Sequence, residues 1–364
     1  MSTPSVPSAN NFDLVRTCLA LIVVLAHSSS LTGRPEFSWF GTVFDAHFAV
    51  KGFFVISGYL VMQSYLSSRS LRVFFEKRAR RIYPAYLLSV GLCLAIGAGV
   101  TELSLAEFAA SAETWRYLVT NLSFLNFLQH TLPGVFVGHE TEAMNGSLWT
   151  IKIEICLYLC IPLIHALYAR LGVRSSTMVL VIASAAWTWY FLNVYRGPLG
   201  DELARQFPGF MSYFVLGACL GVGRLRGLLS APALAACAAL YYLSTGTAAE
   251  LLTQPLFYAV LVLFLATAIR IPVNGGRFGD LSYGTYLYHF PIIQLVVWAG
   301  LYDQDAWLGL ATSLAATLVM AYMSWHLIEN RLLRRSGHHA VIVPPASDSA
   351  SPAAIKPGLD GRAR

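Results

Sequence analysis

Apolar runs long enough to cross a bilayer recur from residue 13 almost to the end of the chain, at about 13–30, 48–66, 82–100, 148–169, 177–195, 208–223, 229–245, 251–269, 281–300 and 306–327. A hydrocarbon core about 30 Å thick takes about 20 apolar residues in a helix. Lipid offers no partner for an unpaired N–H or C=O, so only helices and closed barrels can span it. Barrel strands read as short alternating segments, whereas these runs are continuous. The expected fold is therefore all-α, a polytopic transmembrane helical bundle of about ten spans. Charged residues make up 12% of the chain, against about 25% in a soluble domain.

Charge decides the orientation. The expected loop at 67–81 holds Arg69, Arg72, Lys77, Arg78, Arg80 and Arg81, which marks it as cytoplasmic. Arg170 with Arg174, Arg224 with Arg226, Arg270 with Arg277, and Arg331 with Arg334 and Arg335 then belong to the same side. The intervening loops carry the acids, among them Glu102, Glu107, Glu113, Glu140, Glu142, Asp201, Glu202, Glu250, Asp303 and Asp305. The alternation holds only if the polar segment 115–130, "WRYLVTNLSFLNFLQH", does not cross. We expect it to be re-entrant or interfacial on the outer side, and both termini to be cytoplasmic. The divisions expected are a tail at 1–11, a membrane domain at 12–335 and a disordered Pro-, Ser- and Ala-rich tail at 336–364. Residues 1–11 lack Lys and Arg, so the first run reads as a retained anchor rather than a cleaved signal. The net charge of +6 speaks of orientation, not of nucleic acid. All six cysteines lie in apolar runs and are expected to be buried thiols, with no disulfide framework and no metal spacing.

Four stretches place ionisable groups against this apolar background. In "FDLVRTCLALIVVLAHSSS", Arg16 and His27 are eleven residues apart, which at about 100° per residue returns them to nearly one face with a rise of roughly 16 Å. An interfacial Arg and a packed His would account for each separately, but intramembrane ionisable residues are functional candidates. In "FFEKRARRIYPAYLL", Arg78 and Arg81 share a helix face, and with Arg80 they would suit phosphate oxygens. The positive-inside signal alone would also produce such charge. In "NGSLWTIKIEICLYLCIP", Lys152 and Glu154 stand near the end of a span. An ion pair with Lys51 is the structural alternative to a role in substrate binding. In "LSYGTYLYHFPI", His289 lies near mid-membrane one turn after Tyr286, and Pro291 loosens the backbone hydrogen bonding locally.

Taken in order, these stretches resemble the acyltransferase 3 family of integral membrane O-acyltransferases. The matching motifs are "FDLVR" leading to His27, "AVKGFFVISGYL" at 49–60, Arg78-Ala79-Arg80-Arg81 before "IYPAY", "GSLWTIKIE" at 146–154, and "LSYGTYLYHFP". The resemblance covers residues 12 to about 330. It implies transfer of an acyl group, by default acetyl, from cytoplasmic acyl-CoA to a hydroxyl of a glycan at the outer face of a bacterial cytoplasmic membrane, with no metal. By motif match His27 is the catalytic histidine, Arg16 its partner, and Glu154 an acidic position of the fourth motif. Relatives often continue that motif with Glu and Gln, where this chain has Ile155 and Cys156. The resemblance assigns Arg78, Arg80 and Arg81 to the CoA phosphates. Lys51, Lys152, Tyr286 and His289 are candidates for substrate binding. The bilayer and the acceptor glycan are the partners expected, and the sequence leaves the acceptor's identity and the oligomeric state open. A secondary transporter would use midplane ionisable residues on broken helices, but no internal repeat supports it. A non-catalytic partner in glycan assembly would leave His27 dispensable.

Overall fold

The structure is a computed structural model that describes residues 11–223, 226–269 and 278–334. The expectations for Arg224, Arg270, Arg277, Arg335 and the tail, and for the side chains of Arg226 and Arg334, lie outside the described residues. Among those described there is no strand. The principal helices are α1 (Phe12–Thr32), α2 (Ala46–Leu66), α3 (Leu71–Val100), α4 (Ala112–Leu122), α5 (Trp149–Leu171), α6 (Val173–Asn193), α7 (Phe207–Gly221), α8 (Ala231–Ser244), α9 (Glu250–Thr267), α10 (Ser282–Trp298) and α11 (Ala306–Ser324). Each apolar run holds one of them, and α4 takes the polar segment. Among the described residues, seven helical stretches are long and apolar enough to cross a membrane. At 15, 14 and 17 residues, α7, α8 and α10 are shorter than a full span.

Helix boundaries follow local chemistry. The Asp45 side chain caps α2 at the His47 N–H, Ser70 caps α3 at Val73 and Asp305 caps α11 at Leu308. Gly33, at φ 60°, closes α1 by donating its N–H to the Ser29 carbonyl. The basic segment expected as a loop is mostly helix. α3 starts at Leu71 and runs for 30 residues, about 45 Å, so Lys77, Arg78, Arg80 and Arg81 occupy its first three turns. Ser70 can end the preceding turn by capping, and the long basic side chains favour helix as well as loop.

Close packing runs through glycine where α2 crosses α7. A Cβ on Gly58 would lie 1.9 Å from the Phe214 carbonyl oxygen, and one on Gly217 would lie 2.1 Å from that of Val55. Gly217 and Gly221 are four apart, the small-residue spacing that lets two backbones approach within a membrane. The start of α1 is tied to the end of α9. Asn11, expected as the last tail residue, is buried there and donates from its side chain to the carbonyls of Leu265 at 3.1 Å and Ile269 at 2.7 Å.

The polar segment follows α3 down and back. Phe108 approaches Gly97 near the end of α3, Asn121 accepts a hydrogen bond from Tyr86 at 2.7 Å, and Leu122 accepts one from Tyr83 at 3.3 Å. The chain turns at Phe124, where φ is 59°. Leu132 and Val135 return to Gly97, and Glu102 donates its N–H to the Gly134 carbonyl at 2.9 Å. Tyr86 and Thr101 are fifteen residues apart on α3, about 22 Å. The segment therefore descends that far and returns to the end where it began, which is re-entrant geometry.

One expectation about the thiols is corrected. All six are free, but only Cys93, Cys219 and Cys237 are buried; Cys156 and Cys160 are partly exposed and Cys18 is exposed. An apolar run in a bilayer protein has one face turned to lipid, so apolar neighbours in sequence do not imply burial in protein.

Candidate functional site

The site lies along the line where α1 meets α10. The two helices run in the same direction, because Arg16 near the start of α1 meets Asp280 just before α10, and His27 near the end of α1 meets His289. The eleven-residue spacing does place Arg16 and His27 on one face, and α10 is what that face packs on.

Pro291 shapes the middle of α10. It has no N–H for the Leu287 carbonyl, four residues back. Asn145 fills that gap, donating its side-chain N–H to the same carbonyl at 2.9 Å, with Ser89 at 3.3 Å. The other end of the Asn145 amide accepts the Ser147 N–H at 3.1 Å. Gly146, between them, sits so close to Phe290 that a Cβ would lie 2.7 Å from its ring. Phe290 in turn sets its ring edge-to-face with His27, centroids 5.4 Å apart. The "NGS" turn thus holds α10 at the height that brings His289 to His27.

The hydrogen bonds assign both histidine tautomers. His289 is fully buried, and its Nδ1 faces the carbonyls of Tyr286 at 2.9 Å and Thr285 at 3.2 Å. Carbonyls only accept, so Nδ1 carries the proton and donates. In the neutral ring Nε2 is then an acceptor. It lies 2.7 Å from His27 Nδ1, with the rings 5° from coplanar. His27 therefore donates from Nδ1 and keeps an unshared lone pair on Nε2. His27 is only partly buried, and among the described residues no hydrogen bond occupies that nitrogen.

At the other end of the same line is an ionic cluster. Asp280 accepts from Arg16 at 2.5 Å and from Arg81 at 2.6 Å, and Arg81 also reaches Glu329 at 3.3 Å. Ser282 donates to Asp280 at 2.6 Å and Ser324 to Glu329 at 2.9 Å. Glu329 is brought there by a π-turn, Trp325–Glu329, at the end of α11, a wider turn that is frequent at functional sites. Burial by itself would raise the Asp280 carboxyl's pKa, but the guanidinium groups of Arg16 and Arg81 and the Ser282 hydroxyl outweigh it and hold the group well below the usual carboxylate range. Asp280 and His289 are nine residues apart, about 14 Å along the axis of α10.

Between the two centres is a small cavity of about 60 Å³, walled by Arg16, Ser57, Thr150, Glu154 and Tyr286. It has room for a few waters. Tyr286 hydrogen-bonds Thr150 at 2.9 Å and packs edge-on against Phe53, centroids 5.8 Å apart, on the side toward α2.

The remaining expected residues separate. Arg78, Arg80 and Arg81 diverge although they are neighbours in sequence. Arg81 enters the ionic cluster and Arg80 pairs with Glu76 on its own helix. Arg78 donates to Ser64 at 3.2 Å and lies 5.9 Å from the Tyr158 ring centre, and its Nε is buried with no hydrogen-bond partner among the described residues. Lys51, Lys152 and Glu154 do not pair with one another. Lys51 donates to Gln254 at 2.7 Å, Lys152 lies 4.2 Å from the Phe127 ring centre, and Glu154 accepts from Tyr158 and, at 3.3 Å, from Ser57. Lys152 thereby holds the turn of the re-entrant segment. Asp280, Glu329 and Asn145 are the residues that motif reading passed over. The signal for the two acids was the need of a basic cluster inside an apolar body for counter-ions.

Comparison with known proteins places the chain in a family. The family model described as an acyltransferase domain matches residues 10–326. The O-acetyl transferase of Shigella phage Sf6 is 27% identical over 334 residues, covering 90% of this chain and 97% of its own. Nodulation protein 10 of Rhizobium leguminosarum bv. viciae is 28% identical, covering 89% and 93%. The exopolysaccharide production protein ExoZ of Rhizobium meliloti is 30% identical, covering 86% and 95%. No solved structure matches. The chain belongs to the acyltransferase 3 family and is an integral membrane acyltransferase.

Proposed function

We propose that this enzyme moves an acetyl group from acetyl-CoA, bound at the Arg78 end, to a hydroxyl of a polysaccharide at the His27 end. The observation that carries the reading is the His27–His289 hydrogen bond, which leaves a lone pair on His27 Nε2. Two of the relatives are named for O-acetyl transfer and for exopolysaccharide production, which supports the acetyl group and the acceptor class. The positive-inside rule favours the Arg78 end as cytoplasmic, so the acceptor would stand on the outer side of the cytoplasmic membrane.

In this mechanism His27 Nε2 takes the proton of the acceptor hydroxyl as its oxygen attacks the thioester carbonyl. The C–O bond forms, the C–S bond breaks, and the proton held on His27 passes to the departing CoA sulfur. His289 accepts the Nδ1–H of the transient imidazolium and keeps the ring aimed. Arg78 offers its buried, unpartnered Nε to a CoA phosphate. Arg16 and Arg81 are neutralised by Asp280 and Glu329 and shape the passage rather than hold phosphate. The 60 Å³ cavity is too small for a pantetheine arm, so Tyr286 and Phe53 must part for the thioester to reach His27. We expect His27→Ala to lower acetylation of the cell's glycans by roughly 10²–10⁴-fold with normal membrane insertion, read by mass spectrometry. Undiminished acetylation would refute the mechanism.

A further inference from the structure

A second cavity, of about 670 Å³, opens among the start of α2, the end of α6 and the starts of α7 and α9. Ligand sites are typically about 300–1,000 Å³. It lies at the same end of the bundle as His27, since α1 ends where α2 begins. His47, on its wall, stands in the first turn of α2.

The wall is built for a ligand that both donates and accepts hydrogen bonds. Lys51 and Arg205 supply two positive charges, and Asp201 and Glu250 supply two negative ones. Among the described residues no ion pair joins any of these four to another. Lys51 is held by Gln254 at 2.7 Å, and the same Gln254 oxygen takes the Tyr213 hydroxyl at 2.6 Å, while its nitrogen donates to Glu250 at 3.3 Å. The chain Lys51–Gln254–Glu250 therefore presents a donor and an acceptor in fixed positions. Arg205 is steadied by the Asp201 backbone carbonyl at 3.1 Å. Trp189, 44% exposed, adds a flat apolar face. The two carboxylates offset Lys51 and Arg205, so the wall carries no net charge to draw in a phosphate or an acidic sugar, and so polar a wall would reject a lipid chain. A polyol ring with apolar C–H faces and hydroxyl edges matches on every count.

We propose that this cavity is the acceptor subsite and that it takes a neutral saccharide. The assignment rests on the reading of the chain as a glycan O-acetyltransferase and goes further by naming where, and in what charge state, the acceptor is held. The ring stacks on Trp189, its hydroxyls pair with Glu250 and Lys51, and the hydroxyl to be acylated points past His47 toward His27.

The test uses the full-length chain in detergent. Oligosaccharides are released from the host's own surface polysaccharide, stripped of acyl groups with dilute base, labelled at the reducing end and separated by anion exchange into neutral and acidic pools. Equilibrium dialysis then measures binding. The neutral pool should bind wild type and His27→Ala alike, and bind Trp189→Ala and Glu250→Gln at least tenfold more weakly. Binding that is absent in wild type, equal in all four proteins, or stronger for the acidic pool overturns the proposal. The parent reading fails separately, if cells carrying His27→Ala still acetylate their glycans.

Discussion

The pairing of two neutral histidines makes a quantitative claim about His289. When His27 takes a proton, its Nδ1–H becomes the donor of a charged ring, and the 2.7 Å contact to His289 Nε2 becomes a charge-assisted hydrogen bond. Bonds to charged groups contribute about 1.5–3 kcal/mol. The resting pair already holds a neutral hydrogen bond contributing about 0.5–1.5 kcal/mol, so only the difference, about 1–1.5 kcal/mol, falls on the chemical step, and at about 1.36 kcal/mol per tenfold it corresponds to roughly a 5- to 13-fold change in kcat. His289→Leu replaces the imidazole with a side chain of similar bulk and no acceptor, so kcat should fall by that factor while KM for both substrates holds. His289→Gln keeps an acceptor oxygen in reach and should recover most of the loss. The assay is transfer of labelled acetyl from acetyl-CoA to purified acceptor glycan in detergent, at matched protein amounts. A His289→Leu enzyme within twofold of wild type, or a His289→Gln enzyme as slow as His289→Leu, would show that the pair does not steer the proton.

Other consequences follow from the contacts around this line. Asp280→Asn leaves Arg16 and Arg81 buried against a neutral amide and should destabilise the protein by about 3–5 kcal/mol, seen as a lower melting temperature, with part restored by adding Arg16→Gln. The Asp280 carboxyl titrates below its ordinary value, so its contribution is complete above the unfolded value of about 3.9 and is lost as pH falls further. The gap between wild type and Asp280→Asn should thus be constant near neutrality and close only in acid. Gly146→Ala drives a methyl into the Phe290 ring and should cost about 1–3 kcal/mol and displace that ring toward His27; Phe290→Leu in the same chain should restore stability. Reporter fusions at residues 103 and 138 should read the same side of the membrane, because the segment between them turns back at Phe124; opposite readings would make it a span.

What was legible in the sequence was what repeats or clusters locally. The apolar runs place the helices, and the spacing of Arg16 and His27 shows a shared face, because both depend only on helical geometry. The rest depends on partners far along the chain. Nothing near Arg81 tells that it pairs with Asp280 and Glu329, 199 and 248 residues away, so three adjacent arginines read as one phosphate site although they take three directions. An ion pair with Lys51 was the structural alternative for Lys152 and Glu154, but Gln254 takes Lys51, Phe127 faces Lys152, and Tyr158, one turn along the same helix, holds Glu154. His289 was visible as a buried histidine; its bond to His27 was not, since it depends on which way α10 runs beside α1.

That parallel seam also sets a schedule for biosynthesis. Arg16 leaves the ribosome 264 residues ahead of the carboxylate that neutralises it. At about 5–20 residues per second, its counter-charge follows roughly 13–53 s later. Through that interval the first helix carries an uncompensated cation, and Arg81 does the same. The young chain must keep both near water or lipid phosphate until the tenth helix inserts. Ribosomal stalling short of Asp280 would therefore release a protein with its first helices in place, Arg16 and Arg81 without that carboxylate, and no His289 beside His27.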